Sequence, residues 1–293
     1  MGETQYLSLI RNVLKNGTKT KSRNGYVYSS FGHMMKFSLS NNKIPVLTTK
    51  KLAFQTCAKE LFWFIRGETD KTKLQKKNVK IWNGNASKEF LESRGLGHYE
   101  EGDLGPIYGY QWRRFNEYYK GKNQEDLFNT GYDQLQFVID SLNNKTSEGI
   151  NSRRLIVSAW NPLQLNQMAL PPCHVLFQFK ADPETKKLDC SLYQRSGDVG
   201  LGVPFNIASY SLLTHIIAHH TGLKANTFTH FLGDAHIYDD HIDALKTQIK
   251  RKPYKFPTIQ ILNKHDDIND YSIKDIKLNN YVYHEGVKMN MRV

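Results

Sequence analysis

The chain has 293 residues, of which 39% are hydrophobic and 12% aromatic. This supply of apolar side chains is sufficient for a large buried core, so the composition excludes a disordered chain. Lysine and arginine total 40 against 28 acidic residues, which gives a formal net charge of +12. Such a charge favours anionic partners, namely nucleic acid, a membrane surface or phosphate-bearing metabolites.

No run approaches the roughly 20 apolar residues that a membrane-spanning helix needs, and the first residues do not resemble a secretory leader. We therefore expect no membrane partner. The cysteines, Cys57, Cys173 and Cys190, are odd in number and lack CxxC spacing. This argues against a disulfide framework and a metal site, and it favours a reducing, cytoplasmic compartment, with the nucleus also open for a eukaryotic protein.

Apolar residues at spacings of three and four predict helices, and alternating apolar residues predict strands. The predicted elements are a helix over 1–16, a strand-like segment over 29–49, a helix over 50–66, a loop over 96–129, a helix over 129–143, strands over 153–160, 173–181 and 187–196, a helix over 205–222, a strand over 229–238 and a helix over 239–251. Gly17, Gly67, Gly222 and Pro253 are the expected helix stops. Asn41 and Asn42 are expected to be turn residues within the strand-like segment over 29–49.

These elements follow one another without a repeat, a low-complexity tract or a linker. One domain spanning residues 1–293 is therefore the simplest organisation. Strands interspersed with helices predict a mixed α/β (α+β) fold, built on one large mixed sheet that is flanked by helices.

Cys173 follows Pro171 and Pro172 at the start of a predicted strand. The prolines restrict the backbone and could present the thiol to a cleft. A lone cysteine, however, is more often a small buried hydrophobic residue. As a nucleophile, Cys173 would need a nearby cation or hydrogen-bond donors to become a thiolate.

A second cluster joins the end of a strand to a glycine-rich turn and a helix. Arg195 and Ser196 at the strand end are suited to a phosphate cradle, although many such glycine patterns are plain turns. Asn206 begins the predicted helix, where it is either an N-cap or an amide that hydrogen-bonds a base edge.

Three further polar patterns each allow two interpretations. Asp234, His236 and Tyr238 share one face of a strand, where they either bind a sugar hydroxyl or form an internal polar network. Glu60, followed by a run of aromatic residues, lies on a wet stripe of its helix or handles protons in a cleft with a raised pKa. The lysine-rich stretch over 71–80 is a solvated helix or a nucleic-acid site.

Arginines stand in pairs or in polar loops at two further places. Arg153 and Arg154 precede a predicted strand, and Arg23 lies in an early polar loop. Each of these arginines is individually compatible with an ordinary surface position. Together they could supply several cations to one phosphate.

Seven ordered segments, taken together, resemble the thymidylate synthase family. They are IPVLTTKK at 44–51, KELFWFIRGETD at 59–70, EGDLGPIYGYQWR at 101–113, RRLIVSAWNP at 153–162, LPPCH at 170–174, QRSGDVGLGVPFNIASY at 194–210 and GDAHIYDDHI at 233–242. The resemblance extends from about Gln5 to Val293. It implies a thymidylate synthase-like fold and a homodimer whose subunits pack sheet to sheet.

The chemistry that the resemblance implies is the reductive methylation of dUMP. The thiolate of Cys173 would add to carbon 6 of the base, and carbon 5 would then attack the methylene of 5,10-methylenetetrahydrofolate. Proton loss, elimination of tetrahydrofolate and hydride transfer would give dTMP and dihydrofolate. The folate would be both one-carbon donor and reductant, without a metal.

The resemblance also assigns residues to roles. The implied catalytic residues are Cys173, Glu60, Asn206, Tyr108, His174, Arg195 and Asp198. The implied dUMP ligands are Arg23, Arg153, Arg154, Gln194, Arg195, Ser196, Asp198, Asn206, His236 and Tyr238. The implied folate contacts are Ile81, Trp82, Asn85, Asp198, Leu201, Gly202, Phe205 and, in a closing C-terminal tail, Arg292. Arg153 and Arg154 would reach the phosphate site of the neighbouring subunit.

The chain departs from the family pattern at three places. The loop after Arg23 is one residue shorter, Asn83 stands where aspartate is common, and Arg292 replaces a small penultimate residue. Arg292 could disturb closure of the tail or add a cation near the glutamate end of the folate.

Two other functions stay open from the sequence. A dUMP hydroxymethylase of the same fold would finish the reaction with water instead of hydride. Asn206 favours uracil, because relatives that act on cytosine carry aspartate there. RNA binding through the basic surface is the other hypothesis, although no stripe combines basic residues with stacking aromatic ones.

Overall fold

A computed structural model describes residues 2–22, 25–123 and 130–292. Its α-helices are α1 (Thr4–Asn16), α2 (Phe54–Ile65), α3 (Lys71–Gln75), α4 (Lys88–Ser93), α5 (Tyr108–Arg113), α6 (Gln134–Leu142), α7 (Gly202–His220) and α8 (Ile242–Gln248). Its strands are β1 (Thr18–Ser22), β2 (Gly25–Ser38), β3 (Ile156–Ser158), β4 (His174–Asp182), β5 (Lys187–Asp198), β6 (Lys224–Tyr238), β7 (Thr258–Ile261) and β8 (Ile276–Asn279). Short 3-10 helices cover Ser40–Asn42, Gly84–Ala86, Leu165–Gln167, Asp239–His241, Ile268–Asp270 and Ile273–Asp275.

One large mixed sheet has the strand order β1-β2-β6-β5-β4-β3, and β7 pairs with β8 in a separate ribbon. β5 and β6 run parallel, whereas the other neighbours in the large sheet are antiparallel. Parallel neighbours require a crossover connection, which α7 provides. Both strands therefore end at the same edge of the sheet, and polar residues near their carboxyl ends come together there. The predicted mixed α/β fold with a large helix-flanked sheet is confirmed.

The core forms between the sheet and the two most apolar helices. α7 is buried around most of its circumference and packs on β5, β6 and α2. The second half of α2, from Leu61 to Ile65, is buried as well, with Trp63 fully inside. The prediction of a buried central helix is confirmed, although the helix begins at Phe54 and not at residue 50. Among the described helices, none combines the length and the apolar character needed to cross a membrane.

The predicted element ends are right at several turns. α1 ends at Asn16 with Gly17 as its cap residue, and β2 ends at Ser38 before a turn. In that turn Asn41 and Asn42 have φ values of 60° and 58°, the left-handed conformation that asparagine tolerates better than most residues.

Two predicted elements differ from the structure. The stretch over 96–129 is not loop throughout its described part, because Tyr108–Arg113 forms α5 with buried Tyr108 and Trp112. Neighbouring glycines and polar residues concealed this short helix from the periodicity argument. The helix predicted over 239–251 begins as the 3-10 turn Asp239–His241 and is α-helical only from Ile242.

The lysine-rich stretch over 71–80 is largely not a helix, since α3 covers only its first five residues. Lys71 at its start is buried and pairs with Glu101 at 3.2 Å, whereas Lys73 is exposed. The interpretation as one continuous solvated helix is therefore wrong.

Candidate active site

A cleft of about 950 Å³ lies where β5 and β6 end, between the amino end of α7, the middle of α2 and the C-terminal tail. Most of the predicted site residues line it. They are Glu60, Ile81, Trp82, Tyr108, Cys173, His174, Gln194, Arg195, Ser196, Asp198, Leu201, Gly202, Phe205, Asn206, His236, Tyr238 and Arg292. Arg23 lies outside the described residues.

Cys173 occupies the junction immediately before β4, as the two prolines suggested. Its backbone N–H donates to the hydroxyl of Tyr108 at 3.0 Å. Its sulfur lies 3.7 Å from Nη2 of Arg195. The guanidinium of Arg195 also donates to the carbonyl oxygens of Pro171 and Pro172, each at 2.9 Å. The prolines thus also supply the acceptors that hold the cation beside the thiol.

Burial raises the pKa of the Cys173 thiol above its ordinary value, and the Arg195 cation and the Tyr108 hydroxyl act in the opposite direction. The resting cleft therefore holds a neutral thiol at neutral pH. A thiolate at this position would have a guanidinium and a phenol beside it.

Glu60 is the carboxyl group that faces the cleft from α2. Its Oε1 accepts a hydrogen bond from the indole N–H of Trp82 at 2.7 Å. Burial raises the pKa of Glu60 to about 7, and the Trp82 hydrogen bond opposes this shift only in part. A group with such a pKa can both take up and release a proton near neutral pH.

Asn206 lies inside α7 and not at its start. The helix begins at Gly202 with Leu201 as the N-cap residue, so the N-cap interpretation of Asn206 is wrong. The Asn206 side chain hydrogen-bonds His174, whose pKa burial lowers to about 4. His174 is therefore neutral at physiological pH. The amide and the imidazole together present uncharged donors and acceptors beside Cys173.

Asp198 joins the glycine turn to the C-terminal tail. Its Oδ1 accepts from the N–H of Gly200 at 2.8 Å and lies 3.7 Å from Nδ1 of His241. The other ring nitrogen of His241 donates to the carbonyl of Asn290 at 2.8 Å. Burial opposes charge on His241, but its contacts with Asp198 and Asn290 outweigh burial and raise its pKa.

The end of β6 contributes a row of polar side chains. Nδ1 of His236 donates to Oδ1 of Asp234 at 2.9 Å, which leaves Nε2 of the neutral imidazole as an acceptor. Asp234, His236 and Tyr238 all line the cleft, as their shared face predicted. The two interpretations of this row are therefore compatible, since the side chains both contact one another and face the cleft.

Arg292 is ion-paired at the end of β6. Its Nη2 lies 2.9 Å from Asp240 and 3.8 Å from Asp239, and its guanidinium stands 5.8 Å from the ring centre of Tyr238. The tail is thus tied down on the side of the cleft where the polar row lies.

Three predicted residues do not line this cleft. Asn85 is buried within the 3-10 helix Gly84–Ala86. Arg153 and Arg154 lie exposed just before β3. Arg154 pairs with Glu148 at 2.5 Å.

Sequence reasoning missed several buried polar residues that support the cleft. Lys50 donates to the carbonyl of Gly200, and burial lowers its pKa to about 8. His230 hydrogen-bonds the side chain of Gln194, a cleft residue. His241 connects Asp198 to the carbonyl of Asn290 in the C-terminal tail. Lys50 and His241 do lie in two of the segments that carry the family resemblance, and this position in the sequence could have indicated that they belong to the site.

The fold and the cleft are those of a group-transfer enzyme, and the cleft presents the thiol of Cys173. The family model described as Thymidylate synthase matches residues 4–293, and the chain belongs to the thymidylate synthase family.

Comparison with individual proteins agrees with this membership. The chain is 48% identical to human (Homo sapiens) thymidylate synthase over 293 residues, which covers 100% of this chain and 91% of the relative. It is 49% identical to the Ascaris suum thymidylate synthase over 292 residues, covering 99% and 97%. It is also 48% identical to the bifunctional dihydrofolate reductase-thymidylate synthase of Leishmania major over 292 residues. The chain spans only 55% of that bifunctional relative.

Proposed function

We propose that this chain converts dUMP to dTMP, with 5,10-methylenetetrahydrofolate as one-carbon donor and reductant and dihydrofolate as the second product. The observation that carries the proposal is that the Cys173 thiol lies beside Arg195 in the same cleft as Glu60, a carboxyl with a pKa near 7. The cleft volume of about 950 Å³ is near the upper end of the range typical of ligand-binding pockets.

The nucleotide would lie along the ends of β5 and β6. Arg195 and Ser196 are the cationic and hydroxyl groups available to a phosphate at this end. Nε2 of His236 can accept the proton of a sugar hydroxyl, because Asp234 accepts from Nδ1. Asn206 offers the paired donor and acceptor of an amide to the uracil edge.

Catalysis would start with transfer of the thiol proton and formation of a bond between the Cys173 sulfur and carbon 6. The base would then carry an enolate, which the uncharged donors around Asn206 and His174 are placed to stabilise. Carbon 5 attacks the one-carbon unit and loses its proton, and elimination of tetrahydrofolate leaves that unit on carbon 5 as an exocyclic methylene. The methylene then receives hydride from tetrahydrofolate, which is oxidised to dihydrofolate. Breakage of the sulfur–carbon bond releases dTMP. Glu60 would relay protons, since its pKa matches the working pH.

The folate would pack against the apolar side of the cleft. Ile81, Trp82 and Phe205 line this side, and Leu201 and Gly202 continue it at the start of α7. Trp82 also donates to Glu60, so the folate wall and the proton-handling group share one side chain. The proposal involves no metal.

We also propose a homodimer that packs sheet to sheet. Met34, Phe231 and Tyr193 lie in register across β2, β6 and β5, and they are 60%, 40% and 39% exposed. Such an apolar strip on an uncovered sheet face is typical of an interface. Arg153 and Arg154 lie exposed just before β3 of the same sheet, and in the proposed dimer they would reach the phosphate site of the partner subunit.

We further propose that residues 1–293 form one catalytic domain and act in the cytoplasm, or also in the nucleus of a eukaryote. Cys57, Cys173 and Cys190 are free thiols, which is typical of a reducing compartment. The RNA-binding hypothesis rests on net charge alone, and no contact among the described residues adds to it.

The decisive experiment is mass analysis of the product formed from dUMP and 5,10-methylenetetrahydrofolate. We expect dTMP and dihydrofolate in equal amounts. The Cys173→Ala variant should be inactive, whereas Cys190→Ala, which removes a buried thiol of β5, should retain turnover. Formation of 5-hydroxymethyl-dUMP in place of dTMP would reject the proposal and support the hydroxymethylase.

A further inference from the structure

A chain of buried polar groups lies beneath the phosphate end of the cleft. His230 on β6 is fully buried, and Gln194 on β5 is 2% exposed. Nε2 of His230 lies 2.8 Å from Oε1 of Gln194. Nε2 of Gln194 donates to the backbone carbonyl of Ser196 at 2.9 Å. The contacts thus connect the interior of the sheet to the backbone of a cleft residue.

The direction of both hydrogen bonds in this series, from His230 to Gln194 and from Gln194 to Ser196, is fixed by the carbonyl of Ser196. A backbone carbonyl can only accept, so the amide nitrogen of Gln194 must face Ser196. The amide oxygen of Gln194 then faces His230 and can only accept. His230 must therefore carry its proton on Nε2, and the donors all point toward the cleft.

The surroundings keep His230 in that state. Burial lowers the pKa of His230 to about 3, and the nearby His174 acts in the same direction, so the ring is neutral at physiological pH. Its Nδ1 has no hydrogen-bond partner within the described part of the chain. A buried polar atom without a partner is costly, so apolar packing alone would not select histidine at this position.

The backbone at Ser196 and Gly197 is closely packed against its neighbours. A side chain added at Gly197 would lie 3.0 Å from Nε2 of Gln194 and 2.8 Å from Val203. The Gln194 amide thus packs directly beneath the Ser196–Gly197 peptide. A rotation of that amide would move the peptide that presents Ser196 to the cleft.

We propose that His230 is a positioning residue for nucleotide binding: by donating from Nε2 to Gln194, it locks the amide that supports the Ser196–Gly197 backbone at the phosphate end of the cleft. This inference rests on the proposed function, in which that end of the cleft holds the dUMP phosphate.

The test compares His230→Phe, which keeps a ring but loses the donor, with His230→Gln, which keeps a donor. We expect His230→Phe to raise KM for dUMP about tenfold, the worth of one hydrogen bond, with kcat within about twofold of the unaltered protein. His230→Gln should restore most of the loss. In a Gln194→Met background, His230→Phe should have no further effect, because its route to the cleft is already removed.

His215→Phe is the matched control. His215 is also buried, and its Nε2 lies 2.8 Å from the carbonyl of Lys43, a residue that does not line the cleft. His215→Phe should lower the melting temperature without changing KM for dUMP. Equal losses from His230→Phe with and without Gln194→Met, or equal damage from His230→Gln and His230→Phe, would overturn the proposal.

Nitrogen-15 NMR of histidine in the unaltered protein gives a readout that depends on neither turnover nor variant folding. The His230 ring should show a proton on Nε2 and none on Nδ1 between pH 5 and 8. A proton on Nδ1 would refute the positioning role even if dTMP is formed. Absence of dTMP formation with the Nε2 tautomer intact would instead count against the proposed function alone.

Discussion

The guanidinium of Arg195 lies 3.7 Å from the sulfur of Cys173 while donating to the carbonyls of the two preceding prolines. The cation is therefore held in place before any ligand arrives, so no reorganisation is needed when negative charge develops on the sulfur. Burial nevertheless keeps the pKa of the thiol above its ordinary value. The site thus favours a protonated thiol at rest, and under the proposed mechanism Arg195 would stabilise the thiolate.

Replacement of Arg195 by methionine should raise the pKa of the Cys173 thiol further, because the cation that lowers it is gone. Iodoacetamide should then alkylate Cys173 about tenfold more slowly at pH 8. Mass analysis of the Cys173 peptide over time measures this rate. Arg66→Met, at the end of α2, removes a cation that is paired with Glu68 and does not line the cleft. This control should alkylate normally, and an unchanged rate in Arg195→Met would contradict the assignment.

Glu60 should produce an inflection near pH 7 in the dependence of kcat on pH, since burial raises its pKa to about 7. Glu60→Gln should lower kcat by roughly 10²–10⁴ and abolish the inflection. Trp82→Phe removes a donor that stabilises the carboxylate, so it should move the inflection to higher pH. Steady-state rates between pH 5.5 and 9 measure both effects, and an inflection that persists in Glu60→Gln would exclude this residue.

The same shift has a consequence for stability. Burial raises the pKa of Glu60 above its value in the unfolded protein, so the protonated carboxyl group adds to the free energy of unfolding at low pH. This contribution is complete below the unfolded pKa and is lost as pH rises through about 7. The melting temperature of Glu60→Gln relative to the unaltered protein should therefore increase from pH 5 to pH 8. Glu148→Gln, at a surface ion pair, should show no such gain.

Much of the architecture was accessible from local patterns. α1, α2 and β5 follow from apolar spacing and glycine stops, and the Cys173 position follows from its prolines. The short helix α5 was missed because its six residues are too few for an apolar spacing to repeat, and five of them are buried. The interpretation of Asn206 as a helix start failed because α7 begins four residues earlier.

The buried polar partners of the site could not be predicted, since each depends on a distant residue. Lys50 hydrogen-bonds Gly200, which lies 150 positions away in the sequence. His230 hydrogen-bonds Gln194, which lies 36 positions away. A histidine in a strand pattern looks the same whether its partner is an amide, a carbonyl or water. Only the parallel register of β5 and β6, set by the α7 crossover, places His230 next to Gln194.

Asn206→Asp should shift preference from dUMP toward dCMP. An amide offers both a donor and an acceptor to uracil, whereas a protonated carboxyl group better matches the amino group and ring nitrogen of cytosine. We expect kcat/KM for dUMP to fall by about 10²-fold or more, with measurable turnover of dCMP. Asn83→Asp, next to the folate wall but outside the cleft lining, is a control for added negative charge. Unchanged selectivity in Asn206→Asp would remove base recognition from this residue.

The ion pair between Arg292 and Asp240 should control closure of the C-terminal tail. Exposed ion pairs are individually weak and sensitive to salt. Arg292→Ala and Asp240→Asn should each raise KM for the folate by about two- to fivefold, without adding to one another in the double variant. The unaltered protein should approach the same KM at high salt. Asp243→Asn, whose pairing with Lys246 lies within α8, should leave KM unchanged.

Activity shared between subunits gives a test of the proposed homodimer. A chain with Arg153→Ala and Arg154→Ala keeps its own Cys173 but lacks the arginines that its partner's site requires. A Cys173→Ala chain has the opposite defect. In a mixed dimer, the intact Cys173 therefore faces intact arginines, and one complete site forms.

Random mixing makes half of the dimers mixed, so about a quarter of all sites should be complete and activity should recover to about that fraction. Mixing Cys173→Ala with Arg195→Met is the matched control. Arg195 contacts Cys173 of its own chain, so both sites of that mixed dimer stay defective and no activity should return. Recovery in the control, or none with the Arg153 and Arg154 variant, would mean that these arginines do not act across the interface.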